Sequence, residues 1–350
     1  MPGHKRFRLS DEEYEVIYEM RQKRLREDKS RGGRIRGAQV ANAHNAMTAE
    51  ELGKKTGAMR MHEKQRKGEA LVQTEGLAPA AYGAVPGMGA ELTEGTLRDD
   101  VVVDVSSESV GIISDAHWPF HDLRRDAEGN YYGAYLTALQ SLKDASIGTL
   151  ILNGDMMDCF HLSAHEKLEA RRDWKWELDV TRAMLKHLRE FFGDGVRIIY
   201  REGNHEERFE RYMARQAKEL NGVFDLAELM GLREHGIEWV RGRAKMTIGK
   251  LWVDHGHEWF GGGGVSPARN FRMKSLDNII VGHVHKTSHD LFRRPLGGDF
   301  IAGWSVGCLC DLNPHYAPRN NWNHGFAHVT LSGDGNFTVS NRVIIDGVAR

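Results

Sequence analysis

Cysteine is scarce: Cys159, Cys308 and Cys310 are the only three in 350 residues. An odd, low count in a chain of this length argues against a disulfide framework. Cys308 and Cys310 lie two apart, but no second pair completes a zinc cluster. They are read as buried structural residues, with metal binding as the minor alternative. Long apolar runs are missing as well. None approaches the ~18 residues of a membrane-crossing helix, and the opening MPGHKRFRLSDEEYE has no apolar core of a secretory signal. The expectation is a cytoplasmic protein with no membrane partner. Net charge is also nearly absent, at −1, yet it is unevenly spread. Residues 1–70 hold 17 Lys and Arg against 11 Asp and Glu, a net of +6, which leaves 31 against 38 of the chain's 48 and 49 for the remainder, a net of −7. A basic first part on an acidic body suggests separate roles.

Hydrophobic residues at 40% and charged residues at 28% are ordinary for a soluble globular chain. Residues 1–75 are read as a basic, partly helical N-terminal extension. Ser10 is the N-cap of a charged helix, and Thr48-Ala-Glu-Glu opens a second one through a capping box. Residues 76–100 are read as a linker, carried by the Gly-, Ala- and Pro-rich run GLAPAAYGAVPGMGA. From residue 101 to 350 the pattern is that of one α/β domain. Strands are expected at 110–114, 148–153 and 196–200, with helices near 131–142, 163–192, 206–218 and 224–232 between and after them. The rest is strand-rich, with runs at 237–240, 251–254, 278–281, 300–306, 326–331 and 337–345. Such an order implies layered sheets with helices against them.

Eighteen histidines carry more information than the cysteines. Five polar motifs sit where apolar runs end: Asp115-Ala-His117, Gly154-Asp155-Met-Met-Asp158, Gly203-Asn204-His205-Glu206, His255-Gly256-His257 and Gly282-His283-Val-His285. Strand carboxyl ends are where open α/β sheets build their sites. The glycines allow the sharp turns that bring such side chains inward. Carboxylate, imidazole and amide oxygen together suit Mn²⁺, with Fe²⁺, Zn²⁺ or Ni²⁺ as alternatives, better than Ca²⁺, which favours all-oxygen shells.

These motifs, in this order, closely resemble the calcineurin-like metallophosphoesterase superfamily, whose pattern is DxH, GDxxD, GNH(D/E), an HG step and GHxH. The resemblance spans roughly residues 108–345. It implies a four-layer αββα sandwich and a site for two divalent metal ions. Asp115, His117 and His285 would hold the first ion, Asn204, His255 and His283 the second, and Asp155 would bridge them. It further implies hydrolysis of a phosphoester by a hydroxide held between the ions, with His205 as general acid and Asp158 hydrogen-bonded to His205 to orient it.

Around the motifs the reading is more open. His121, in Trp118-Pro-Phe-His121-Asp122, either contacts substrate phosphate or serves the structure. His257 either touches substrate or faces solvent. Glu206 is read as a cap for the helix that follows. Gly261–Gly264 lead to Ser266-Pro-Ala-Arg269, a loop entering a helix whose first turn, with Arg269, either holds phosphate or is simply flexible. His161 and His165, at i, i+4 spacing, are read as helix surface. Trp304 and the segment Asp311–Trp322 are expected to pack beside the site.

The substrate is less legible. The second motif continues Asp158-Cys159-Phe160, without the Arg-Gly that phosphoprotein phosphatases of the superfamily carry there. The overall pattern is similar to phage and bacterial phosphoesterases, some of DNA-repair exonuclease type. The basic extension favours a nucleic acid or nucleotide phosphodiester, since Lys and Arg neutralising phosphates is the sequence-independent part of nucleic-acid binding. A phosphomonoesterase is one alternative. A non-catalytic nucleic-acid-binding or assembly protein keeping the fold is another, against which the intact His205 and full ligand set stand. Deleting residues 1–90 should leave hydrolysis of a small phosphodiester nearly unchanged. If the extension holds duplex DNA, the deletion should also flatten the log–log salt dependence of binding by about 0.9 for each phosphate no longer neutralised. An unchanged slope and affinity would remove the nucleic-acid role of the extension.

Overall fold

The computed structural model describes residues 102–350, apart from 127–130, 164–173, 243, 262–263, 315–316 and 318. The extension and linker read at 1–75 and 76–100, and His165, lie outside the described residues.

Fifteen strands are described. The first group is β1 (Val102–Asp104), β2 (Ser109–Ile113), the short pair β3 (Arg124–Arg125) and β4 (Tyr131–Tyr132), β5 (Thr149–Asn153), β6 (Arg197–Arg201) and β7 (Ile237–Val240). The second is β8 (Lys245–Ile248), β9 (Leu251–Asp254), β10 (Ile279–Val281), β11 (Ser288–Arg293), β12 (Phe300–Ser305), β13 (His324–Leu331), β14 (Phe337–Ile345) and β15 (Val348–Ala349). The helices are α1 (Ala134–Asp144), α2 (Trp174–Phe192), α3 (Glu207–Gln216), α4 (Leu226–Leu229) and α5 (Pro267–Ser275).

Two larger sheets form the body. One has seven strands in the order β15-β14-β13-β2-β5-β6-β7, and the other six in the order β1-β8-β9-β10-β12-β11. In the first, β2, β5, β6 and β7 run parallel in sequence. In the second, β9, β10 and β12 are parallel neighbours. The parallel strands bring the ends of β2, β5 and β6 to one edge and the ends of β9 and β10 to one edge.

Alternation along the strands decides what each face meets. Ile112, Ile151 and Ile199 of the first sheet share a core with Met246, Leu251, Val253 and Ile280 of the second. Their neighbours Ile113, Leu150, Leu152 and Ile198 point the other way. There they pack against Tyr135, Ala138, Leu139 and Leu142 of α1 and Leu178, Met184, Leu185 and Leu188 of α2. The α2 residues recur at three- and four-residue spacing, the stripe that makes a helix amphipathic. On the opposite face of the second sheet, Ile279 and Val281 meet Phe271 of α5. β2, β5, β6 and β10 are buried on both faces along nearly their whole length, which explains why they read as continuous apolar runs.

Most strand bounds expected from the sequence agree with those observed to within two residues. The helix expected over 224–232 shortens to α4, because the chain turns at Gly231 with φ 73°. His161 differs from its reading as helix surface: it is buried in a short 3₁₀ turn, edge-on to Phe160.

His187 lies on the buried stripe of α2, and burial holds its imidazole down at about 4. An unfolded histidine titrates near 6.5. Between those values the unfolded chain binds the extra proton, so stability is full above about pH 6.5 and falls as the pH drops toward 4. His187→Leu should remove up to about 3 kcal/mol of that acid loss. Denaturant titrations of both proteins at pH 7 and pH 4.5 test this, and parallel losses would refute it.

Candidate metal centre

The five motifs meet where the two sheets present their strand ends. Asp115 and His117 follow β2, Asp155 and Asp158 follow β5, Asn204 and His205 follow β6, His255 follows β9, and His283 and His285 follow β10. The backbone bends sharply to aim them inward. Asp115, His117, Asp155, His283 and His285 all take left-handed φ, between 49° and 61°. Such backbone costs a non-glycine residue roughly 1 kcal/mol or more and collects at functional sites. Two glycines permit the close approach of the loops. A Cβ on Gly203 would stand 2.3 Å from Asp155 Oδ1, and one on Gly282 would stand 2.0 Å from Ser114 Oγ.

The sheets are tied across this edge. Asn153 Nδ2 donates to the Asp254 carbonyl at 2.9 Å, and His255 Nδ1 donates to the Asn153 carbonyl at 2.7 Å. The His283 N–H donates to Asp115 Oδ2 at 2.9 Å, and Ser114 Oγ donates to the same oxygen at 2.6 Å.

These bonds decide where the imidazole protons sit. His255 spends its Nδ1–H on a carbonyl and His117 gives its own to Asp158 Oδ1 at 3.0 Å, so both turn an Nε2 lone pair inward. His285 Nδ1 faces the Cys310 sulfur at 3.8 Å, while its Nε2 lies 3.2 Å from His117 Nε2 and 3.1 Å from Asp115 Oδ1. His255 Nε2 lies 3.3 Å from Asp155 Oδ2. Asp115 Oδ1, Asn204 Oδ1 and His255 Nε2 are buried without a hydrogen-bond partner. Lone pairs and carboxylates converging in a buried space repel one another unless cations lie between them.

The grouping is specific. The ligand atoms of Asp115, His117 and Asp155 lie within 4.8 Å of one another, and so do those of Asp155, His255 and His283. Asp155 belongs to both sets. Asp155 Oδ1 is fixed by the His205 N–H at 2.9 Å. Asn204 supplies a buried amide oxygen at the same loop. The residues present therefore fit two divalent cations, with donors of the oxygen and imidazole type.

The electrostatics agree. Burial would raise the Asp115 carboxyl, but the charge of His285 beside it holds it at about 2. Burial would lower His255, yet the charge of Asp155 beside it raises the imidazole to about 10, so Nε2 offers its lone pair inward only when a cation takes the place of a proton there. Burial, then the charge of His255, pushes His283 down to about 4. The pocket thus draws positive charge to its carboxylates.

His205 falls outside the two donor groups that share Asp155, but its ligand atoms group with those of His117 and Asp158, and its Nε2 lies 3.7 Å from Asp155 Oδ2. Its Nδ1–H donates to the Asp158 backbone carbonyl at 2.6 Å, and Asp158 Oδ1 lies 3.3 Å away. The sequence pattern suggests that the Asp158 side chain orients His205. In the structure that carboxylate is shared with His117, and the backbone carbonyl makes the shorter bond. Burial would lower His205, but the charge of Asp155 and the hydrogen bond to Asp158 hold it above its ordinary value.

The flanking residues divide. His121 is buried edge-on against Tyr135 of α1, a packing position. His257 Nε2 bonds Glu207 Oε1 at 2.8 Å, with its ring 5.3 Å from that of His255. Arg269 is exposed on α5, and among the described residues no hydrogen bond or ion pair joins it to the centre. Trp322 places its half-buried ring 4.1 Å from that of His285.

Three residues were missed or misread from sequence. Glu206 is fully buried, and its carboxylate accepts from the N–H groups of Gly203, Asp155 and Met157 rather than capping α3. Cys310, read as structural, lies within 4.8 Å of the ligand atoms of His117 and His285. Arg208 bonds both His205 and the Asp158 carbonyl. Only Arg208 had a sequence signal, since it falls three residues after His205 at a helix start.

No protein-family model matches the chain, and neither does any curated protein. Among solved structures, the chain is similar to a dimetal phosphatase from Danio rerio, at 11% identity and a TM-score of 0.34, over 69% of this chain and 98% of that one. A likeness so slight bears on neither the fold nor the chemistry.

Asp155→Asn replaces the shared carboxylate by a neutral amide. Elemental analysis should find close to two divalent ions per wild-type chain and a clear deficit in the variant. Full occupancy in the variant would show that Asp155 does not bridge.

Proposed function

We propose that this protein is a dinuclear metal-dependent phosphoesterase on a four-layer αββα scaffold. The convergence of two donor groups on the shared Asp155, with unpartnered buried atoms facing inward, carries this reading. Asp115, His117 and His285 would hold one ion, and Asn204, His255 and His283 the other. Two such cations, when bound, supply Lewis acidity to a phosphoester and to an attacking water.

The chain's own residues do the rest. Asp158 fixes the tautomer of His205 through its carbonyl and leaves Nε2 as the atom that faces a leaving group. His205 holds a proton there and transfers it to the departing oxygen. Its raised proton affinity suits that task. Trp322 covers His285 and limits water on that side. The proposed substrate is a phosphodiester of nucleic acid or a nucleotide, which the basic charge of residues 1–70 supports. Mn²⁺ is the proposed metal.

Hydrolysis of bis-p-nitrophenyl phosphate by the Mn²⁺-loaded protein tests the activity. His205→Ala should keep its metal and lose about 10²–10⁴-fold in turnover. The loss should shrink on substrates whose leaving groups need no proton. Equal losses on good and poor leaving groups would rule out the acid role.

A further inference from the structure

His205 Nε2, the atom left to face a substrate, is not open in this structure. It accepts from Nη2 of Arg208 at 2.8 Å, while Nη1 of the same guanidinium donates to the Asp158 carbonyl at 2.9 Å. An imidazole nitrogen has one lone pair, so Nε2 cannot present a proton to a leaving oxygen while it receives one from arginine.

Arg208 is unusual in a second way. Among the described residues it is the only arginine or lysine side chain hydrogen-bonded to any of Asp115, His117, Asp155, Asp158, Asn204, His205, His255, His283 and His285. No carboxylate forms an ion pair with it among those residues. By contrast Arg201, Arg272 and Arg197 each meet at least one carboxylate. Arg208 is half-buried on the first turn of α3, and both of these bonds go to neutral acceptors. A guanidinium fork matched by no anion, at the rim of a site built for phosphate, has the geometry to take two phosphoryl oxygens at once.

We propose that Arg208 is the substrate-phosphate anchor of this site. Its guanidinium exchanges the His205 nitrogen for the non-bridging oxygens of a bound phosphoester, which opens Nε2 to the leaving group. The bond to the Asp158 carbonyl keeps the arginine aligned during that exchange. The ligand class is any phosphoester with two free oxygens on phosphorus. The proposal rests on the phosphoesterase reading above.

Inorganic phosphate is the probe. Its affinity is measured by calorimetry on the Mn²⁺-loaded wild type, R208A and R208K, with kcat and KM on bis-p-nitrophenyl phosphate alongside. R208A should bind phosphate about 10- to 100-fold more weakly, the worth of a hydrogen bond to a charged group, and its KM should rise. It should keep close to two ions per chain. R208K, which keeps the charge and loses the fork, should fall between. Phosphate affinity within about twofold of wild type in both variants would overturn the proposal, since a hydrogen bond to a charged group is worth more than that. Loss of metal from R208A would also overturn it, by making the arginine a structural brace. A wild type that neither holds metal nor cleaves the diester would remove the phosphoesterase reading and this proposal with it. That outcome is distinct from an active wild type whose variants still bind phosphate.

Discussion

The Glu206 carboxylate receives three backbone N–H groups and one hydroxyl: those of Asp155, Met157 and Gly203, and the phenol of Tyr200 at 2.6 Å. They come from the loop after β5, the loop after β6 and the strand β6 itself. A fully buried charge is tolerable only when its acceptor sites are filled, and four donors fill them. The two loops that carry Asp155 and Asn204 are therefore held to each other through one side chain that is itself no ligand. If the loops spread, Asp155 would leave one of its two groups and the site would lose its shared donor.

A second set of ties runs between the sheets. Asn153 uses both its side-chain amide and its backbone carbonyl on the end of β9, so that β5 and β9 keep a fixed separation. Behind His255, Glu258 accepts from the Gly256 N–H at 2.6 Å and from Arg201 at 2.7 Å, which anchors the HG turn to β6. Shape at the centre thus comes from backbone-directed polar bonds, while the apolar cores set only where the sheets lie.

Much of this was legible because strand ends announce themselves. β7, β9 and β14 have the bounds that their apolar runs suggest, and each motif follows such a run that proves to be a strand. β8 and β11 were missed for different reasons. β8, KMTI, is four residues long and begins on an exposed lysine. β11, SHDLFR, is a mostly exposed edge whose residues carry no alternating pattern. The donor set could be named from motif order, but the parts that depend on tertiary partners could not. Nothing in the sequence says that Asp158 serves His117 with its carboxylate and His205 with its backbone. Nor does it say that His257 turns to Glu207, or that Glu206 looks back at the loop after β5.

The left-handed backbone at Asp115, His117, Asp155, His283 and His285 also bears on how such a chain can drift. Asp and His tolerate that conformation better than most residues, yet glycine would relax each position. In a protein with no ion to hold, replacement by glycine would meet no functional penalty and would relieve roughly 1 kcal/mol of strain per position. Neutral change would then erode the five positions first and the β-strands last. All five positions carry donor side chains in place of glycine, so the backbone strain is kept where those donors converge.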